Sequence, residues 1–272
     1  SLNIETETRK ENTMGKGYFA GIDSGSTSTD VVILDRERKI VSSVIMPTGA
    51  GAANGAERAL EEALRQSGLN REDIDAVVTT GYGRTAISDG DKSITEITCH
   101  ARGAHFLDSS VRTVVDIGGQ DSKVIRLNDD GSVKNFVMND KCAAGTGRFL
   151  EMMAKTMEMS LDELSKVGLS YQEDITISSM CTVFAESEVV SLIAQNKATD
   201  DIVHGLNKAV AAKTASLVKR VGGEEAYMMT GGVAQNQGLV RTLEERLGTK
   251  LVISDKSQLC GALGAALFAA EM

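Results

Sequence analysis

The chain reads as an α/β protein built from two related halves. Three observations lead there. Short apolar strands and amphipathic helices follow one another in mixed order, so sheets and helices must share cores. A unit of strand, acidic residue, polar turn and second strand occurs twice, at Asp23-Ser-Gly-Ser-Thr-Ser-Thr-Asp30 and at Asp116-Ile-Gly-Gly-Gln-Asp-Ser-Lys123. And 27 glycines against one proline place tight backbone approaches inside regular structure rather than in flexible linkers.

Taken in order, residues 1–16 are polar and aperiodic, the pattern of a disordered leader. YFAGID from Tyr18, then TDVVILD and KIVSSVIM, read as strands separated by turn residues. Residues 52–67 carry apolar positions at helical spacing, with Gly68 as a stop. IDAVVTT (74–80) is a buried strand and 94–107 a helix. TVVDIGG (113–119), SKVIRLN (122–128) and VKNFVMN (133–139) are strands again. Helices follow at 146–158, 161–167, 184–196 and 199–221. AYMMTGG (226–232) is a strand entering a glycine turn. A helix at 236–247, a strand at 250–254 and a small-residue helix at 259–271 complete the chain.

Composition excludes several functions. Lys+Arg of 29 against Asp+Glu of 38 gives a net charge of −9, which opposes a bulk electrostatic grip on nucleic acid or anionic membrane. No apolar run approaches the ~20 residues of a membrane span. The amino-terminal stretch lacks the apolar segment of a secretory signal, so a cytoplasmic protein is expected. The four cysteines, Cys99, Cys142, Cys181 and Cys260, are widely spaced, which argues against a disulfide framework.

The duplicated hairpins carry the chemistry. Each turn is rich in backbone N–H and hydroxyl donors and is preceded by a carboxylate. Two such turns across a cleft can hold a polyphosphate, with the carboxylates placing Mg²⁺ and its waters. An ordinary hairpin with a polar turn is the alternative for either copy alone. The Gly231-Gly232 turn after a strand is a third place where backbone can approach a flat or anionic ligand. No GxxxxGK[ST] loop and no clean GxGxxG opening a helix occur, which disfavours a P-loop or dinucleotide fold.

Cys142 and Cys181 each precede a predicted helix, whose amino-terminal dipole favours a thiolate. Two thiolates are too few for a closed four-cysteine site, but a two-fold dimer supplies four. The other reading is that both are small buried hydrophobes. Cys99 and Cys260 read as structural. His100, His105 and His204 form no ligand pair and read as solvated or core residues. The methionines near 152–159 read as core or dimer packing, and Glu224-Glu225 as a solvated turn.

At these residues the chain resembles the ATP-dependent reductive activators of 2-hydroxyacyl-CoA dehydratases and the related benzoyl-CoA reductase ATPase subunits. These belong to the acetate kinase, sugar kinase, heat-shock chaperone and actin superfamily. GIDSGSTST, TGYGR, ITCHARGA, VVDIGGQDSKVI, MNDKCAAGTGRFLE, CTVFAESEV, MTGGVAQN and GALGAAL carry the resemblance, over residues 17–270. It implies an actin-like fold of two ribonuclease-H-like halves around a nucleotide cleft, one at 17–110 plus 258–272 and the other at 111–257. It also implies a homodimer with one [4Fe–4S] cluster at the interface, held by Cys142 and Cys181 of each chain. A reduced flavodoxin or ferredoxin would load an electron, and ATP hydrolysis would drive it to an iron–sulfur dehydratase or reductase in an anaerobe's cytoplasm.

By motif, the resemblance implies a first phosphate turn at Ser24, Gly25, Ser26 and Thr27, and a second at Gly118, Gly119, Gln120 and Asp121. Asp23 and Asp116 would order Mg²⁺ and its waters. Gly231, Gly232 and Val233 would line the adenosine, and Glu186 would orient water or metal. Two positions depart from the pattern: many activators carry Lys where this chain has Asp30, and Asn where it has Cys260. A small-molecule kinase of the same superfamily, with Asp116 as general base, is the alternative reading. A nucleotide switch without a cluster is another.

Overall fold

The computed structural model describes residues 16–179 and 181–272. The expected leader lies outside the described residues as far as residue 15. At its end Lys16 ion-pairs with Asp73, and Gly17 N donates to Asp75 Oδ2 at 2.8 Å. The chain divides into two compact units, one running up to Cys99 and taking in Gly261–Met272, the other spanning His100–Cys260.

In the first unit, β1 (Tyr18–Ser24), β2 (Ser28–Leu34), β3 (Ile40–Pro47), β4 (Ile74–Thr80) and β5 (Lys92–Ser93) form one sheet in the order β3-β2-β1-β4-β5. β1, β2 and β3 are antiparallel neighbours, while β4 runs parallel to β1 and β5 parallel to β4. Alternation along the strands supplies two apolar faces. Val31, Ile33, Val44 and Val77 pack with Ala56, Ala59, Leu60, Ala63 and Leu64 of helix α1 (Ala52–Ser67). Ala76 and Val78 face the other way, onto Cys99, Ala265 and Ala269. Cys99 lies on α2 (Glu96–Leu107), which begins in this unit and ends in the next.

The second unit repeats the design. β6 (Thr113–Ile117), β7 (Ser122–Leu127), β8 (Val133–Asn139), β9 (Tyr227–Thr230) and β10 (Leu251–Val252) run β10-β9-β6-β7-β8. The hairpins are again antiparallel and the β6–β9–β10 side parallel. Its larger core comes from α3 (Gly147–Thr156), α4 (Leu161–Val167), α5 (Thr182–Ala194), α6 (Thr199–Val221) and α7 (Gln237–Leu247). Phe149, Leu150 and Met153 of α3 meet Ile202, Leu206 and Val210 of α6 in this core, together with Val115 and Ile117 of β6. The chain closes with α8 (Cys260–Ala269).

The helices at 52–67, 161–167 and 199–221 and the strands at 74–80 and 133–139 have their expected bounds. Others differ for local reasons. α2 begins at Glu96 rather than 94, because Ile94 N still donates to Thr79 O at 2.9 Å beside β5. The strand expected over 250–254 shrinks to Leu251–Val252, with Leu251 N held by Glu244 Oε1 at 2.9 Å. The two-residue β5 was not anticipated; it is too short to show a pattern.

Candidate functional site: two hairpin turns and a pair of exposed thiols

The polar turns connect β1 to β2 and β6 to β7, and they close alike. Gly25 N donates to Ser28 O at 2.9 Å, and Gly118 N to Asp121 O at 3.0 Å. Asp23 and Asp116 occupy the same rung: Asp23 pairs with Asp30 and Thr80, Asp116 with Lys123 and Thr230. After each parallel strand the chain leaves through a glycine with φ of +86° (Gly81) or +83° (Gly231). A Cβ on Gly81 would lie 2.4 Å from Asp23 Oδ1, and one on Gly231 2.3 Å from Ile117 O. Only glycine admits both the positive φ and that approach.

In the second unit the carboxylate is buried and engaged. Asp116 Oδ2 accepts from Lys123 Nζ at 3.1 Å and Oδ1 from Thr230 Oγ1 at 2.8 Å, with His100 Nδ1 3.5 Å from Oδ1. Lys123 also reaches Asp121 Oδ1 at 3.0 Å. Burial raises the Asp116 pKa, but the charges of His100 and Lys123 and the donated hydrogen bonds outweigh it and hold the carboxyl below the ordinary range. Gly118, Gly119 and Asp121 are half-buried beside it and Gln120 is exposed. Gly231, Gly232 and Val233 turn away from the end of β9 toward α7, whose cap is Asn236 with its side chain accepting from Leu239 N at 2.9 Å.

In the first unit Asp23 is half-buried and Ser26 and Thr27 are exposed. Thr48 Oγ1 donates to Gly25 O at 2.8 Å, and Gly83 N to Ser24 O at 2.9 Å, bracing the turn from two sides. Ser24 Oγ and Thr80 Oγ1 are buried with no hydrogen-bond partner among the described residues, whereas the corresponding Thr230 donates to Asp116. Such hydroxyls fit a turn that completes its hydrogen bonding with a ligand.

The cysteines separate into two kinds. Cys99 and Cys260 are fully buried, as expected for structural residues, and Cys260 Sγ lies 3.4 Å from His100 O. Cys142 and Cys181 are exposed and free, against the reading that both are small buried hydrophobes. Cys181 is the N-cap of α5. Cys142 is not at a helix end: the cap of α3 is Thr146, and Cys142 sits further back in the loop, beyond the first-turn reach of the dipole. Its carbonyl accepts from Asn139 Nδ2 at 2.9 Å. Glu186, on α5, accepts from Thr156 Oγ1 at 3.0 Å and ties α5 to α3.

Sequence reasoning missed Glu188. Its carboxylate accepts from Ser178 N at 3.0 Å and Ser179 N at 3.2 Å, pinning the segment that leads to Cys181. The only signal was an acidic residue two turns into a helix. It also missed that α5 is apolar on its outer side, where Val183, Phe184, Val190 and Ile193 are exposed. The histidines read as core or solvated. His100 and His204 are buried, and His204 stacks on Tyr171 with ring centroids 3.4 Å apart. Met153 is buried in the core, with Met157 and Met159 packed against it. Among the described residues no three His, Cys, Asp or Glu side chains gather as a metal site, and no helix is long and apolar enough to cross a membrane.

Two copies of one five-stranded order, each with a carboxylate-led turn, define an actin-like nucleotide-binding fold of the ATPase and sugar kinase type. The same fold is seen in a ROK family glucokinase from Streptomyces griseus, at 14% identity and a TM-score of 0.57, covering 94% of this chain and all of that one (100%). Within that class, residues 20–269 match the BadF/BadG/BcrA/BcrD ATPase family, and the chain belongs to it. It is 49% identical over 252 residues to the 2-hydroxyisocaproyl-CoA dehydratase activator of Clostridioides difficile, covering 93% of this chain and 94% of that protein. The solved structure of the (R)-2-hydroxyglutaryl-CoA dehydratase component A of Acidaminococcus fermentans matches with a TM-score of 0.91 and 44% identity, over 94% of this chain and 98% of that one.

Proposed function

We propose that the protein is an ATP-driven electron-transfer activator of a 2-hydroxyacyl-CoA dehydratase or a related iron–sulfur reductase. The observation that carries this reading is the pair of exposed thiols, Cys142 and Cys181, in a chain 49% identical to a dehydratase activator over nearly the whole of both proteins. Each polar turn is read as a phosphate-binding element: Ser24, Gly25, Ser26 and Thr27 in one unit, Gly118, Gly119, Gln120 and Asp121 in the other. Asp23 and Asp116 are assigned to the water shell of Mg²⁺, and Gly231, Gly232 and Val233 to the adenosine. Glu186 is assigned to orienting water or metal from α5.

The two thiols fit half of a four-cysteine iron–sulfur site. Both are exposed; the backbone carbonyl of Cys142 accepts from Asn139 Nδ2, Cys181 follows a pinned segment, and α5 carries an uncovered apolar face from Cys181 onward. A second copy of the chain would cover that face and supply the other two thiols. When bound, the [4Fe–4S] cluster would carry one electron, loaded by a reduced flavodoxin or ferredoxin. None of the four cysteines forms a disulfide among the described residues, which accords with a reducing cytoplasm.

The kinase alternative asks Asp116 to take a proton from a hydroxyl. A carboxylate held below the ordinary range, with both oxygens already accepting hydrogen bonds, is a poor base near neutral pH. The same carboxylate is suited to a fixed negative charge beside a metal's waters.

The test is iron and acid-labile sulfide after strictly anaerobic purification, beside Cys142→Ser. About four of each per dimer, lost in the variant, is the expected result. No iron in the wild type, even after reconstitution, rejects the activator and returns the chain to the kinase or switch reading.

A further inference from the structure

We infer that Asn139 and the first amides of α3 form the mechanical link through which the second phosphate turn sets the position of Cys142. The inference deepens the proposed function and rests on it for the occupant of the turn. It begins with two peptide groups. Gly118 O accepts from Gly147 N at 2.9 Å, and Gly119 O accepts from Arg148 N at 2.7 Å. In a trans peptide the C=O and the following N–H point in opposite directions. The carbonyls of Gly118 and Gly119 are therefore fixed by the start of α3, and the N–H groups of Gly119 and Gln120 are turned away from it. A phosphate on those N–H groups and α3 on the carbonyls share the same two peptide units. Anion binding on one side polarises the peptide and strengthens the acceptor on the other. A tilt of either unit when the phosphate leaves breaks its bond to α3.

The other side of the turn reaches the same loop. Ser122, where β7 begins, pairs with Asn139 at the end of β8. The Asn139 amide donates to Cys142 O at 2.9 Å and to Ala144 O at 3.2 Å. Between them and α3 the loop is stiff, because Thr146 N and Thr146 Oγ1 both donate to Ala143 O, at 3.1 and 2.6 Å. The Cys142 loop is thus clamped to the turn at both ends. Gly147 makes the close contact possible: a Cβ there would meet Gly118 O at 3.1 Å and Gly119 Cα at 3.3 Å.

Amide hydrogen exchange on the full chain tests this, with ADPNP affinity measured by calorimetry in parallel. In the wild type ADPNP should slow exchange at 142–148 by roughly fivefold or more. Asn139→Asp keeps the side-chain shape and removes the donor. It should bind ADPNP within about threefold of wild type, and keep the slowing at 147–148 while losing it at 142–146. Gly147→Ala should reverse the direction of influence and weaken ADPNP by about tenfold, since coupling is reciprocal. If ADPNP binds the wild type and leaves 142–146 unchanged, or if Asn139→Asp retains the effect there, the link is rejected. No ADPNP binding at all would instead reject the nucleotide reading beneath it.

Discussion

Asp23 stands opposite Asp30 in the β1–β2 ladder, whereas on the same rung of β6–β7 Asp116 stands opposite Lys123. One architecture therefore sets two aspartates opposite each other in one copy and an ion pair in the other. The difference is a property of single residues, and it predicts unequal anion affinity at the two turns.

Asp30→Lys would give the first turn the cation that the second already has. Replacing a negative charge by a positive one near bound phosphate should tighten ADPNP by about tenfold at low salt, with the gain shrinking as salt rises. Titration calorimetry at two ionic strengths reads this directly. Unchanged affinity at both would mean that position 30 does not face the phosphates.

Lys123→Met leaves Asp116 buried beside a methyl group. Removing one partner of a buried pair costs about 3–5 kcal/mol, so the denaturation midpoint should fall sharply. The pH dependence carries the sign. The folded pKa of Asp116 is depressed, so its contribution is present above the unfolded carboxylate value and is lost as pH falls through the folded one. Between pH ~5 and ~3 wild-type stability should fall more steeply than that of the variant. Parallel slopes in urea denaturation across that range would remove Asp116 from the account.

Phe184→Asp or Val190→Asp places a charge on the exposed apolar side of α5. Sedimentation velocity should show a wild-type dimer and a monomeric variant with unchanged helix content, because neither side chain lies in the unit's own core. A wild-type monomer in the cluster-loaded form would end the shared-cluster reading.

Glu188→Ala removes the acceptor that holds Ser178 N and Ser179 N. Exchange of those amides should rise by about tenfold or more, and iron content should fall with it. Glu188→Gln keeps an acceptor oxygen and should recover most of both. Faster exchange with full iron content would confine Glu188 to local stability.

Much of the secondary structure could be read from the chain. α1 and α6 have the bounds expected from the chain, each closing on a glycine cap, Gly68 and Gly222, and the doubled Asp–turn–strand pattern announces two sheets of one design. The carboxylate-led turns were legible because hairpin chemistry is local: a turn needs its glycine and donors within a few positions. The same locality explains the error at Cys142. Proximity in sequence to α3 suggested a helix end, but Thr146 takes the cap and Asn139, on another element, takes the carbonyl.

The sequence by itself determined the α/β class, the duplication, the two turns and the four cysteines. Which thiols are exposed, which carboxylate is buried against a lysine and which carbonyls α3 grips were decided only by tertiary structure. The physical reason is distance along the chain: Asp116 meets Thr230, 114 positions away, through packing that no local period encodes.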